Sequence, residues 1–82
     1  MTNFNAITGK ALRNLRKKTG KTQETLAFDA GLDRTYISML ELGQCSPTLA
    51  TLFALCNALD ISLIELAIEI ERGLYQEKQE KE

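Results

Sequence analysis

Apolar residues in this chain recur mainly at intervals of three and four, the spacing that gathers side chains on one face of an α-helix. Ile7 or Thr8, Ala11, Leu12 and Leu15 predict a first helix from near Thr8 to Thr19, ended by Gly20, with Lys17 and Lys18 in its last turn. Residues 1–6 read as a loose arm whose Phe4 could pack back on the core. Leu26, Ala27 and Ala30 mark a second helix over Gln23–Ala30, with Thr22 as N-cap, Gly31 as terminator and Leu32 plugging the corner. Asp33 caps a third helix, Arg34–Leu42, which Gly43 stops and whose Tyr36, Ile37 and Leu40 face inward. Pro47 stands just ahead of a fourth, Thr48–Leu59, burying Leu49, Leu52, Leu55, Cys56 and Leu59. Ser62 and Glu65 form a capping box at the start of a fifth, ended by Gly73 and Leu74. The pattern predicts an all-α fold of five helices in one domain, residues 1–75, followed by a charged tail, residues 76–82.

The fifth helix has more apolar positions than one face can hold. Leu63, Leu66, Ala67 and Ile70 can cover the core, which leaves Ile64 and Ile68 on the other side. A helix apolar on two sides is buried on two sides. In a domain this small the second side is expected to meet another copy of the chain, with Phe53 contributing from the fourth helix.

Composition narrows the chemistry. The chain has 82 residues, no His and two Cys, so it can bury a modest core and lacks ligands for a structural zinc site. Cys45 and Cys56 should lie on the order of 12–16 Å apart by helical rise, beyond disulfide reach. Reduced thiols suit the cytoplasm. Glu65 and Glu69 interrupt LIELAIEI, and MTNFNAITGK lacks a basic segment followed by an apolar one. Neither a membrane span nor a signal peptide is expected, so the chain reads as cytoplasmic. Without His, the usual general-base pairings for Ser or Cys are absent, and there is no Gly-rich phosphate loop. No enzyme activity and no cofactor are expected. Net charge is −1 but unevenly placed: residues 1–47 hold seven basic and four acidic side chains, residues 48–82 three and seven. A basic half and an acidic half would orient the domain towards a polyanion.

The stretch Thr22–Gly43, TQETLAFDAGLDRTYISMLELG, reads as two short helices crossing closely at the small Ala27, as a helix-turn-helix requires. Winding the second at 100° per residue clusters Arg34, Thr35, Ser38, Met39 and Leu42 opposite its core face. In such motifs that face enters the major groove. Arg34 can offer two parallel donors to guanine, Thr35 can hydrogen-bond a base or press its methyl on thymine, and Met39 can make the apolar contact. Gln23 is the first candidate for a DNA phosphate, because amides at a helix start also point outward there. Thr22 at the same start, the hydroxyl of Tyr36, and Gln44 with the backbone amides of its loop are further phosphate candidates.

From about Gly9 to Leu66 the sequence resembles the phage repressor and Cro family of XRE-type regulators. The likeness rests on LRNLRKKTGKTQETLA, AGLDRTYISMLE and SPTLATLFALCNALDIS, covering about seventy per cent of the chain. It implies a five-helix, lambda-repressor-like DNA-binding domain acting as a homodimer on a double-stranded, (pseudo)palindromic operator, by blocking RNA polymerase or touching it from a neighbouring site. It places base-reading residues at Arg34, Thr35, Ser38 and Met39 and a phosphate contact at Gln23. It also implies that Arg16 and Glu41 pair as a buried scaffold. Length and the LDRTYIS run are similar to controller proteins of restriction–modification systems. The chain departs from the family after the third helix, where ELGQCS carries no positive charge, and at Phe28 and Leu42, where relatives are often polar. Those departures leave room for a rival reading, a helix-turn-helix-fold module that binds a protein partner.

Overall fold

In the computed structural model, which describes residues 3–80 and side chains as far as residue 77, five helices follow one another: α1 (Phe4–Lys18), α2 (Gln23–Ala30), α3 (Arg34–Glu41), α4 (Leu49–Leu59) and α5 (Leu63–Glu80). Each begins where a short polar side chain takes up one of the amides that a helix start leaves without an acceptor. Asn3, Thr22, Asp33, Thr48 and Ser62 accept from the backbone N–H groups of Ala6, Thr25, Thr35, Thr51 and Glu65 at 3.0–3.1 Å. The first four helices also end alike. A left-handed residue (Gly20, Gly31, Gly43 or Asp60) turns the chain, and the next residue's N–H reaches back to a carbonyl five positions earlier.

The helices pack in a closed order. α1 lies against α3 and α5, α2 lies on α3 and α4, and α4 returns onto α5. Leu26, Ile37, Leu40, Leu55 and Leu66 are fully buried between them, with Ala11, Leu12, Ala27, Cys56 and Leu59 completing the core. Burying each of the five large side chains contributes about 1.5–3 kcal/mol. Cys56 is a core residue, and burial together with nearby Glu65 pushes its thiol pKa up. Both cysteines are free. Among the described residues no single helix is long and apolar enough to cross a membrane.

Several local expectations fail for reasons the packing supplies. Within the segment read as a loose arm, residues 4–6 are helical, because Asn3 caps α1 a full turn earlier than the apolar periodicity suggested. Phe4 does not pack back; it is exposed, as are Leu49 and Ala67. Gly73 and Leu74 do not terminate α5, which runs on to Glu80 through the residues read as a tail. Gly73 is instead a point of close approach: a Cβ there would stand 2.9 Å from Ile7 Cγ2. Met1, Thr2, Lys81 and Glu82 lie outside the described residues. Gly9 plays a similar part on the other side of α1, where a Cβ would stand 2.1 Å from the Leu40 carbonyl oxygen. α1 therefore touches the end of α3 backbone to backbone.

Candidate nucleic-acid interface

The helix-turn-helix is built from α2 and α3. Gly31, at φ 69° and ψ 31°, makes the turn, and the Leu32 N–H bonds the Ala27 carbonyl at 2.8 Å. Leu32 then packs against the core between the two helices. On α3 the inward positions Ile37 and Leu40 are buried and Tyr36 is half-buried against the core. Arg34 and Thr35 in the first turn are exposed, Ser38 is half-buried, and Met39 is exposed at the edge of the same face. Among the described residues Arg34 makes no hydrogen bond or ion pair, which leaves its donors available to a ligand.

The two helix starts differ electrically. The Asp33 carboxylate occupies the first turn of α3, bonding the Thr35 N–H at 3.1 Å. α2 is capped by the neutral Thr22, whose hydroxyl is bonded to both the N–H and the hydroxyl of Thr25 at 3.0 Å. The Gln23 and Glu24 amides behind it have no acceptor among the described residues. An anion is therefore better received at the start of α2, although Glu24 adds an exposed carboxylate there. The loop after α3 offers less than its sequence promised. The Gly43 and Gln44 N–H groups close α3 by bonding the Leu40 and Met39 carbonyls at 3.1 and 2.9 Å. What remains for a phosphate there is the exposed side chain of Gln44 and the N–H groups of Cys45 and Ser46, which bond no acceptor among the described residues.

Behind this surface, one carboxylate joins three elements. Glu41, the last residue of α3, receives Arg16 Nε at 2.6 Å, Arg16 Nη2 at 2.9 Å and Gln23 Nε2 at 3.0 Å. Arg16 Nη1 donates to the Lys21 carbonyl at 2.9 Å, so every component of the fork has a partner. The Glu41 side chain is 4% exposed and that of Arg16 10%. The hydrogen bonds that Arg16 donates to Glu41 hold its guanidinium pKa above its ordinary value, against the opposing pull of burial.

Lys21 is similarly committed. Its ammonium pairs with Asp29 at 2.7 Å and donates to the Ala58 carbonyl, tying the α1–α2 connection to the end of α4. Of the basic run that begins at Arg13, only Arg13, Lys17 and Lys18 stay exposed and outside any ion pair. The tie from Gln23 to Glu41, the Lys21–Asp29 pair and the packing role of Gly9 all escaped the sequence reading. Only Gly9 carried a signal, as a glycine inside a helical pattern. Phe53, Ile64 and Ile68 belong to α4 and α5 and take no part in the α3 face; all three are exposed.

Two short helices, α2 and α3, joined by the left-handed turn at Gly31 define a helix-turn-helix protein. Comparison with known families agrees: a helix-turn-helix family model matches residues 12–66. The chain belongs to this family, in its XRE-type, repressor-like branch. It is 42% identical over 65 residues to the control protein C.MunI of a Mycoplasma species, a match covering 78% of this chain and 88% of that protein. Its fold is similar to the restriction–modification controller protein C.AhdI of Aeromonas hydrophila. That match has a TM-score of 0.73 and 46% identity over 74% of this chain and 92% of the controller. It is also similar to the controller C.Esp1396I, solved as a tetramer on its natural 35 base-pair operator. There the TM-score is 0.84 at 25% identity, covering 92% of this chain and 99% of that one.

Proposed function

We propose that this chain is a sequence-specific, double-stranded-DNA-binding transcriptional regulator that works in the cytoplasm as a homodimer on a (pseudo)palindromic operator. The observation that carries the reading is the α3 face, where Arg34 and Thr35 stand exposed on a helix whose other side is locked into the core. Arg34, Thr35, Ser38 and Met39 read base edges in the major groove, and Gln23, with the start of α2, grips a phosphate. Thr22 acts chiefly through its cap, while Tyr36 and Gln44 flank the same backbone. Two copies meet through Ile64 and Ile68, with Phe53 beside them, which presents two α3 helices to one duplex. Regulation works by occupancy, which blocks RNA polymerase or touches it from a neighbouring site. The operator-bound assembly of the related controller supports this reading.

A second reading has one observation in its favour: Phe28 is 84% and Leu42 63% exposed, large apolar groups on the two motif helices. They suit a protein partner better than a phosphate backbone. Selection of bound sites from random duplex DNA separates the two. The first reading expects a consensus with two-fold symmetry and half-sites about one helical turn apart. Recovery of no consensus favours the second.

A further inference from the structure

We propose that Glu41 is a positioning residue for DNA binding, holding the Gln23 carboxamide in the orientation that a phosphate requires. The inference rests on the reading of the α2 start as a phosphate contact and adds how that contact is aimed. A glutamine side chain has two N–H donors on one planar nitrogen. One of them bonds Glu41 Oε1 at 3.0 Å, and the other makes no hydrogen bond among the described residues. Glu41 is itself fixed by two bonds from Arg16, and Arg16 by a further bond to the Lys21 carbonyl just ahead of α2. The carboxamide is thus clamped to the end of the reading helix. Its spare N–H stands at the same helix start as the acceptor-less amides of Gln23 and Glu24. A loose glutamine would lose rotamer freedom on meeting a phosphate; this one has already lost it.

A double-mutant cycle on duplex affinity tests this, because a scaffold role alone would not couple the two side chains. Gln23→Ala should weaken the selected site and a scrambled duplex alike, by about threefold to tenfold, the range for one hydrogen bond. Glu41→Gln keeps an acceptor for Arg16 but offers one oxygen where there were two, so it should weaken both duplexes to a similar extent. The double variant, measured per folded molecule, should bind no worse than the weaker single one. Penalties that multiply overturn the proposal. Should Glu41→Gln fold poorly, side-chain amide NMR of the wild type supplies the same answer. One Gln23 amide proton should be held through a DNA titration while its partner shifts; two protons that shift together overturn it. If Gln23→Ala leaves affinity unchanged while Arg34→Ala abolishes site preference, this inference fails and the DNA reading stands. If neither substitution matters, both fail.

Discussion

At the scale of single residues, the fold depends on places where a side chain would be too much. A glycine inside a helix costs about 1 kcal/mol relative to alanine, so Gly9 in α1 should be a weakness. It stands where α1 meets the end of α3, and a Cβ there would fall 2.1 Å from one backbone carbonyl oxygen and 2.8 Å from the next. Backbone cannot swing aside as a side-chain tip can. Gly9→Ala should therefore destabilise the protein by about 1–3 kcal/mol, the range for overpacked cores, despite its better helix propensity. Urea unfolding checks this, and a variant more stable than wild type would show that α1 can move away. Gly43 is constrained twice, by φ 75° and by Ala6 Cα, which would lie 2.7 Å from a Cβ. Cys56 adds a pH dependence. Burial raises its folded pKa, so the thiolate is favoured in the unfolded chain. Stability should be constant below the ordinary thiol range and fall as pH climbs through it. A Cys56→Ala variant, less stable at neutral pH, should lose that particular alkaline decline in urea midpoints measured across the range.

At the scale of elements, legibility followed the locality of the signal. The bounds of α2 and the start of α3 were readable because Thr22, Gly31 and Asp33 act on their own neighbours. The 100° winding of α3 likewise separated exposed Arg34 and Thr35 from buried Ile37 and Leu40. Where a residue's meaning depends on a distant element, the sequence misled. Gly73 looked like a terminator because the nearby Ile7 is 66 positions away in the chain. Lys21 stood in the sequence only as one of seven basic side chains in residues 1–47, because nothing local announces Asp29 or the Ala58 carbonyl. Arg16 and Glu41, 25 residues apart, met in the sequence only through the family resemblance. Their pair joins α1 to α3. Arg16→Met should strand a nearly buried carboxylate and cost roughly 3–5 kcal/mol, a large share of the stability of a small domain. A urea midpoint equal to that of wild type would show that the helices hold together without the pair.

At the scale of the whole molecule, two surfaces must act together for the DNA reading to hold. Ile64 is 71% and Ile68 47% exposed on one side of α5, one helical turn apart. Ile68→Glu should give monomers by sedimentation and weaken operator binding, whereas a wild-type chain that sediments as a monomer at micromolar concentration would remove the dimer from the mechanism. In the dimer, two α3 helices should enter successive major grooves about 34 Å apart, each bringing Arg34 to a guanine. Arg34 is exposed and bonded to none of the described residues, so Arg34→Ala should leave the urea midpoint almost unmoved. Each lost bidentate contact should remove about 1–3 kcal/mol of discrimination, and a symmetric dimer loses two. Because a guanidinium is also a charge, affinity for a scrambled duplex should fall slightly as well, but by much less than affinity for the selected site. Fluorescence anisotropy titrations of both duplexes at one fixed salt concentration measure the ratio directly. If Arg34→Ala keeps the wild-type preference, α3 is not the reader. The exposed Phe28 and Leu42 would then mark the surface through which this protein acts.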